Sequence, residues 1–351
     1  MWMEKSFKVK IFLSLLFLVS LLIKNSYPSI SGYFKLNAFY LNYQGENSFV
    51  QLARFRFRLE ESFQSFSFKL HSEIDTINHG EKYYSLFTGS LLDELNPYYF
   101  YKRKELKIYH FFDRLSLSYE TEKFIFTIGR QRIPWGKARL FSPLDIFNPY
   151  NPFAIEKEEK QGVNSLRFQY YFSGFSWIES AFARRNKENY FGSAIFFTIN
   201  SLDINFVVAS LPNEYLFGGA FEGSSGRTVL RAELTLRKNS KSILKDISIG
   251  ADYHLSSKIY LIGEYFSTDG SEFYPKGKVF VISGDYKVSE LSSIQISYFH
   301  ASPGNGNFFF LRFSYSLTQN IDIYAGFLYL SSGSSMWQFP KIVYTGTAFY
   351  Y

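Results

Sequence analysis

The chain of 351 residues contains no cysteine and only four tryptophans. Without cysteine it can form neither a disulfide framework nor a thiolate metal site. Its five histidines include no metal-spaced pair of the His-Glu-x-x-His kind, and no Gly-x-Ser-x-Gly nucleophile elbow is present. The sequence therefore predicts no catalytic residue, no metal site and no cofactor, and we expect a protein that is not an enzyme.

Long apolar stretches are also scarce. The one such run, residues 11–23, is broken only by two serines and follows three lysines within the first ten residues, which is the order of a secretory signal. It is shorter than the ~20 apolar residues that a spanning helix needs. We predict a signal peptide over residues 1–31, with a small-x-small candidate cleavage site at 29–31. An uncleaved anchor is the alternative.

Aromatic residues are abundant instead. The 41 Phe and 28 Tyr supply nearly all of the 21% aromatic content, and rings favour strands and the membrane interface. The mean hydropathy of -0.12 is too polar for a bundle of membrane helices. It is ordinary for a β-barrel, in which only alternate residues face lipid.

Residues 32–351 repeat one pattern, in which segments of about ten residues alternate apolar with polar side chains. Residues 53–60 and 230–237 place apolar side chains on one face and charged ones on the other. We predict an all-β, transmembrane antiparallel β-barrel of about 18 strands, with 16 also possible. The predicted strands are 32–43, 49–61, 64–76, 107–119, 122–131, 162–172, 175–184, 189–199, 202–211, 214–223, 226–237, 243–255, 257–267, 277–288, 290–300, 306–317, 320–331 and 340–351.

The connections between these strands sort by length. One set consists of short polar turns, and the alternate set includes long segments at 77–106, 132–161, 238–242, 267–276, 301–305 and 332–339. Outer-membrane barrels have short periplasmic turns and longer outer loops, so we assign the long set to the outside. No segment is large enough to form a plug domain.

The last predicted strand ends at Tyr351, with Phe349 on the same face. A terminal aromatic residue resembles the signal by which barrel proteins are recognised for outer-membrane assembly. We therefore expect the barrel assembly machinery as a partner through this strand, and pairing of the last strand with the first would remove the open edge of the sheet.

Charged side chains concentrate on the polar face of several strands. Facing partners on neighbouring strands lie about 5 Å apart, so opposite charges can pair. One interpretation is a charged wall that favours anions, and the other is an internal salt-bridge ladder that stiffens the barrel. The candidates for the lumen wall are Arg54, Arg56, Arg58, Lys69, Glu73, Arg167, Arg231 and Arg312.

One stretch breaks the alternation, because its prolines forbid regular pairing. It carries Gly129, Arg130, Gln131, Trp135, Gly136, Pro143, Asp145, Asn148 and Pro149. These residues resemble a motif of porin-like outer-membrane families, the set that includes alginate-export-type channels. The resemblance covers about two dozen residues, and it implies a fold and an outer-membrane location more than a cargo.

The same stretch lies in the third outer loop. By analogy with general porins, in which this loop enters and narrows the lumen, it could form a constriction. A rigid cap on the rim is the alternative. The constriction candidates are Arg130, Arg132, Trp135, Lys137, Arg139 and Asp145.

The net charge of +7 favours contact with an acidic surface or a preference for anions, unless it merely solubilises the protein. The export signal argues against nucleic acid. Basic clusters at 102–104, 184–187 and 238–241 could bind phosphates of the outer-leaflet glycolipid, or be solvated loop charge.

Two functions follow from these features. The first is an outer-membrane channel for passive passage of small polar or anionic solutes, because 16 to 18 strands leave an aqueous lumen. The second is an outer-membrane conduit or platform for polysaccharide export or surface assembly. It draws on the family resemblance and on seven rings between residues 83 and 101. An oligomer is compatible with either function.

Overall fold

The computed structural model describes residues 29–43, 45–88, 97–149, 151–156, 160–303, 306–331 and 340–351. The predicted leader falls almost wholly outside these ranges and stays a prediction. Its candidate cleavage site, residues 29–31, forms the first part of strand β1, paired with β2. Within the described ranges, no helix is long and apolar enough to cross a membrane.

Nineteen strands of the described chain form one antiparallel sheet. They are β1 (Ser29–Tyr43), β2 (Glu46–Phe63), β3 (Phe66–Asn78), β4 (Tyr98–Lys102), β5 (Leu106–Glu120), β6 (Phe124–Gln131), β7 (Val163–Ser173), β8 (Ser176–Arg185), β9 (Glu188–Ile199), β10 (Leu202–Leu211), β11 (Glu214–Ser225), β12 (Thr228–Lys238), β13 (Ile243–His254), β14 (Ile259–Thr268), β15 (Gly277–Lys287), β16 (Ser292–Ser302), β17 (Gly306–Thr318), β18 (Ile321–Leu330) and β19 (Lys341–Tyr350). A 3-10 turn, Glu81–Tyr83, and the short helix α1, Tyr84–Thr88, precede β4.

The sheet closes on itself. Strands β1 and β19 pair from Tyr33 opposite Tyr350 to Asn42 opposite Lys341. The other strands of the ring pair with the strand before and the strand after them, except that β3 pairs directly with β5. Strand β4 stands outside this ring because it pairs only with β5. The predicted all-β antiparallel barrel of 18 strands is confirmed, and no separate plug domain occurs in the described ranges.

Alternation along the strands separates the two surfaces of the barrel. In β12, Leu234 and Leu236 are exposed on the outside, whereas Glu233 and Arg237 are buried on the inside. Successive side chains of a strand point to opposite faces, so the outer surface is built from rings and aliphatic chains. The interior receives most of the charge.

Every predicted strand is present, with ends within three residues of the predicted ones. The prediction missed β4 and α1, both inside the segment 77–106 that was predicted as a long outer loop. Strand β6 has eight residues and pairs only with residues 115–120 of β5. The upper part of β5 is therefore left without that partner, and β4 occupies its open edge.

The two rims of the barrel differ less clearly in the length of their connections than predicted. At the rim that carries the long loops, three connections are two residues long, between β1 and β2, between β8 and β9, and between β10 and β11. Asn186 and Lys187 both have positive φ, 50° and 70°, which is the backbone of a tight two-residue hairpin.

Part of the interior is filled by the segment after β3. Phe87 of α1 stacks on Phe39 of β1, with ring centroids 3.9 Å apart. The Tyr84 hydroxyl donates to Asp75 at 2.6 Å and accepts from Arg54 at 3.1 Å. The helix is thus docked against the inner wall over β1 to β3.

Replacing Phe87 with Ala should release α1 from this wall, because removing a buried phenylalanine ring costs about 3–5 kcal/mol. We expect chymotrypsin to cut the folded barrel at Tyr83 or Tyr84 in the variant and not in the parent. Phe100→Ala, which removes an outward-facing exposed ring, is the control. Equal protection of α1 in both variants would contradict this docking.

Candidate functional site

The connection between β6 and β7, residues 132–162, is called the lumen loop here; residues 150 and 157–159 of it lie outside the described ranges. Its first residues continue the alternation of β6. Ile133 and Trp135 are buried against inward-facing small residues of β8 to β10. Arg132 and Pro134 lie on the opposite, exposed side. The loop therefore runs inside the barrel with Ile133 and Trp135 packed on the inner wall, and Arg132 is exposed on the side away from that apolar contact.

Trp135 is held by four contacts. Its indole Nε1 donates to Glu179 of β8 at 2.8 Å, and its backbone oxygen accepts from the Asn205 side chain at 2.9 Å. Its backbone N–H donates to Asp145 at 3.3 Å. A Cβ atom added at Gly192 would lie 2.7 Å from the indole ring, so the wall has a hollow at this glycine that the ring occupies.

Two wall carboxylates bind the middle of the lumen loop. Glu233 of β12 accepts from the backbone N–H of Lys137, from that of Ala138 at 2.5 Å and from that of Leu144 at 3.2 Å, and also from a serine hydroxyl. Glu264 of β14 accepts from three successive backbone N–H groups, those of residues 139–141, at 2.7–3.1 Å. Buried backbone donors must be paired, and these two side chains supply the acceptors.

Farther along, the loop packs through rings. Phe141 stacks on Phe266 of β14 with centroids 5.1 Å apart, and Phe153 contacts Phe299 and Phe308 at 5.2 and 5.0 Å. The backbone N–H of residues 155 and 156 then donates to α1 carbonyl oxygens at 3.0 and 2.9 Å. The loop has by then followed the inner wall from β8 to β17.

Glu156 ends this path on the wall of β1 and β2. Its carboxylate accepts from the Asn37 side chain at 2.8 Å and pairs with Arg54 at 3.2 Å. Burial alone would raise the pKa of Glu156, but the positive charges of Lys35 and Arg54 outweigh burial and lower the pKa below its ordinary value. At Gly162 the backbone N–H donates to Asp113 of β5 at 3.0 Å.

Arg54 and Arg56, predicted as part of the wall, are enclosed by carboxylates. Arg54 pairs with Glu73 at 3.1 Å and with Asp75 at 2.8 Å. Arg56 pairs with Glu73 and, at 2.6 Å, with Asp113. Both arginines are nearly closed to solvent, which is the geometry of an internal salt-bridge ladder.

The other predicted wall residues are more varied. Arg58 is half-buried over the Tyr33 ring, and Lys69 is exposed near Glu60 at 3.4 Å. Three further arginines are each matched by a neighbour. Arg167 binds Glu179 through two contacts of 2.7 Å, Arg231 lies 2.5 Å from both Glu222 and Asp252, and Arg312 lies 4.3 Å over the Tyr324 ring.

The predicted constriction residues divide between wall and solvent. Asp145 is buried and pairs with Lys160. Lys137 reaches Asp203 at 3.5 Å, and the exposed Arg139 reaches Asp252 at 3.0 Å. Arg130 is half-buried at the end of β6. Among the six, Arg132 and Arg139 are the exposed cations, with Trp135 fixed on the wall.

Comparisons with known proteins agree with this architecture at the level of structure. No family model matches the chain, and no curated protein sequence matches it. OccAB2 of Acinetobacter baumannii has a TM-score of 0.62 at 10% identity, over 94% of this chain and 98% of its own. OccK11 (OpdR) of Pseudomonas aeruginosa has a TM-score of 0.61 at 8% identity, and the match covers 92% of this chain and 95% of OccK11. A triple mutant of the Rhodopseudomonas blastica porin has a TM-score of 0.54 at 12% identity, and the match covers 93% of this chain and 100% of that porin.

The chain has the fold of an outer-membrane porin. These similarities do not extend to the sequence motif or to the alginate-export-type set, which stay predictions. In the described ranges, no group of three or more His, Asp or Glu side chains is arranged to hold a metal ion.

Sequence reasoning missed the anchors of the lumen loop, Glu179, Asn205, Glu233 and Glu264. Each is an inward-facing polar residue of a strand, and period-two alternation places it inside. Nothing local distinguishes it from other inward acids, because its partner lies 44 to 125 residues away in the chain.

Replacing Glu233 with Gln should loosen the lumen loop. The NH2 group that replaces one carboxylate oxygen of Glu233 cannot accept a hydrogen bond from the backbone N–H groups that face it, and each charge-assisted bond lost is worth about 1.5–3 kcal/mol. We expect faster proteolysis within residues 136–144 and larger current fluctuations than in the parent. Glu222→Gln is the control, because Glu222 on the adjacent strand binds Arg231 and not the loop. Identical behaviour of both variants would refute the anchor.

Acidification should weaken the contact made by Glu156. Because its folded pKa is lowered, its stabilising contribution is complete above the unfolded value of about 4.3 and is lost as pH falls through the lower folded value. The thermal midpoint should therefore fall more steeply below about pH 4 in the parent than in Glu156→Gln. Parallel curves would contradict the assignment. Glu46→Gln, at an exposed carboxylate, controls for general charge effects.

Proposed function

We propose that the protein is a porin-like channel of the outer membrane for passive passage of small polar or anionic solutes. The observation that carries the proposal is the lumen loop, which follows the inner wall of the barrel through its contacts with Glu233, Glu264, Phe266 and Phe299. A barrel of 18 strands is wide enough for an aqueous lumen, and the loop narrows it without being a separate plug.

The charges nearest the passage favour anions. Arg132 is exposed, and among the described residues it forms no ion pair. Arg312 is half-buried on β17, lies 4.3 Å over the Tyr324 ring and, among the described residues, forms no ion pair. Rings of Arg or Lys in a pore favour anions, so these two cations are the proposed selectivity residues.

Lys137 and Arg139 contribute less to this preference. Their neighbours Asp203 and Asp252 lie within 3.5 Å and offset the positive charge. The positive charges of four wall arginines are likewise offset by carboxylate partners, so we assign them a role in stiffening the barrel wall. They are Arg54, Arg56, Arg167 and Arg231.

The alternative, an outer-membrane conduit or platform for polysaccharide export, has weaker support. It depends on rings gathered where a sugar chain could stack. Tyr84 and Phe87 are buried under the loop region, whereas Tyr98 and Phe100 are exposed, and Phe100 stacks on His110. The rings are thus divided between two surfaces. A loss-of-function phenotype confined to polysaccharide secretion, with no conductance, would favour this alternative.

The proposal is tested by planar-bilayer recording under a salt gradient. The parent should give stepwise conductance and an anion-selective reversal potential. The double variant Arg132→Gln with Arg312→Gln should lower the anion-to-cation permeability ratio by about tenfold or more, since removal of each charge ~7 Å from an ion in water changes the energy of that ion by about 0.6 kcal/mol, with opposite sign for anions and cations. Lys123→Gln, in a short turn, is the control.

Two outcomes would contradict the proposal. Protein that inserts but never produces conductance steps is not a channel of this kind. A reversal potential that moves equally in the double variant and in Lys123→Gln would mean that net charge, rather than Arg132 and Arg312, sets the preference.

A further inference from the structure

A cavity of about 500 Å³ lies inside the barrel at the rim that carries the long loops. Its lining comes from the lumen loop, from the strand ends and hairpins between β9 and β13, and from the loop between β14 and β15. Neither Arg132 nor Arg312 belongs to this lining. The cavity is therefore distinct from the residues to which we assign the anion preference.

The inner end of the cavity is apolar. The apolar lining residues that are buried are Pro143, Ile146, Leu216 and Tyr274. The Tyr274 ring is fixed against the Phe266 ring, with centroids 5.0 Å apart. A hydrated ion would leave this surface in contact with water, whereas an apolar group would remove it from water. The inner end therefore fits the apolar part of a ligand.

One guanidinium group is part of the lining, and carboxylates surround it. Arg237 of β12 pairs with Asp246 at 2.8 Å and with Glu214 at 3.1 Å. It also donates to the backbone oxygen of Gly270 at 2.7 Å. Because two carboxylates face one guanidinium, this group leaves no net positive charge in the cavity that would attract an anion.

The exposed charged residues of the lining are carboxylates, and we call them the mouth carboxylates. They are Glu188, Asp269 and Glu272. Among the described residues, Glu188 and Asp269 form no ion pair, and Glu272 lies 3.9 Å from Arg185. A concave surface that combines one sign of charge with apolar walls concentrates the counter-ion. The mouth of the cavity therefore favours a cation.

The loop between β14 and β15, which carries two of the mouth carboxylates, is ordered by its own hydrogen bonds. The backbone N–H of Ser271 donates to the backbone oxygen of Tyr274 at 2.7 Å. The Ser271 hydroxyl accepts from the backbone N–H groups of Phe273 and Tyr274 at 3.2 and 3.0 Å. The Tyr190 hydroxyl donates to Glu272 at 2.8 Å. A site that is already ordered loses less free energy when a ligand binds.

The size and the chemistry of the cavity together define a ligand class. A cavity of several hundred Å³ with an apolar part and a few placed polar groups is typical of a small-molecule site. Within the residues that the structure describes, the acids do not form a group that could hold a metal ion. We propose that this cavity binds an organic cation, with an ammonium group at the mouth carboxylates and an apolar body at the inner end. This proposal goes beyond the channel function and does not depend on conduction.

The proposal is tested by calorimetric titration of the full chain in phosphatidylcholine nanodiscs at low ionic strength, with empty nanodiscs as the blank. The probe is phenethylammonium. The parent should bind it about tenfold more tightly than hydrocinnamate, which has the same ring and the opposite charge. It should also bind it about tenfold more tightly than ethylammonium, which lacks the ring.

Neutralising the mouth carboxylates should weaken the binding of phenethylammonium about twentyfold, because each unit charge about 7 Å away changes an affinity in water about threefold. This triple variant is Glu188→Gln, Asp269→Asn, Glu272→Gln. The matched triple variant changes three exposed carboxylates outside the cavity and should bind as the parent does. It is Glu46→Gln, Glu120→Gln, Glu290→Gln.

A second variant blocks the cavity without changing its charge. Leu244 is a half-buried lining residue of β13, and Leu244→Trp should abolish the binding of phenethylammonium by filling the space. Heat-modifiable gel mobility verifies that each variant folds. Should Leu244→Trp not fold, the comparison of the two triple variants decides alone, since those substitutions change only exposed side chains.

Several outcomes overturn the proposal. Equal loss of binding in both triple variants would mean that net charge, rather than the mouth carboxylates, attracts the probe. Binding that persists in folded Leu244→Trp would place the probe elsewhere. A parent that binds hydrocinnamate or ethylammonium as tightly as phenethylammonium, or that binds none of the three, also contradicts a site for an organic cation.

Discussion

The structure depends on how the backbone polar groups of the lumen loop are satisfied inside the barrel. Irregular backbone cannot form ladder bonds, yet each buried N–H needs an acceptor. Glu233 and Glu264 meet this need together, because each carboxylate accepts from three backbone N–H groups of residues 137–144. An acceptor-only side chain with two oxygens suits clustered donors, whereas a neutral amide would present donors of its own.

This constraint also determines the neighbouring wall. Where the loop is bound by Glu233 and Glu264, it lies close to the strands, so the inward side chains beside it must leave room. Gly192 does so for the Trp135 ring, and Ala183 and Ala194 line the same apolar cluster. On the opposite side, Phe141 and Phe153 are met by large rings instead. The inner wall thus packs against the loop with small residues on one side of the barrel and with aromatic rings on the other.

The sequence predicts the barrel well because the pattern that defines each strand lies within about ten consecutive residues. Alternation such as that of residues 230–237 assigns each residue to a face, and turn residues mark where it stops. Strand β4 escaped this reasoning because its existence depends on a neighbour: β6 is too short to cover the upper half of β5. The aromatic residues 98–101 favour a strand, but their pattern does not predict which strand edge they pair with.

The site was predicted only in part, for a similar reason. The break in the alternation at Pro134 and Pro143 predicted an unusual loop that contains Trp135, and in the structure this loop is the connection between β6 and β7. The pairing of Arg54 with Glu156 spans 102 residues, and no spacing in the sequence links them. Long-range contacts of this kind decide whether an arginine is buried in an ion pair with a carboxylate or is exposed without one. The role of an arginine could therefore not be inferred from its position in a strand alone.

The distribution of charge matters more than its sum. The net charge of +7 suggests a uniformly basic molecule, yet inside the barrel most cations are balanced at short range by carboxylates. Balanced pairs in a partly buried wall add rigidity and little field along the pore, because opposite charges a few ångströms apart cancel at a distance. Positive charge without a carboxylate partner remains at Arg312 of β17, which lies 4.3 Å over the Tyr324 ring, and at the exposed Arg132 of the lumen loop. An electrostatic effect on a passing solute would therefore depend on such unmatched cations more than on the net charge, because the field of a matched pair falls off within a few ångströms.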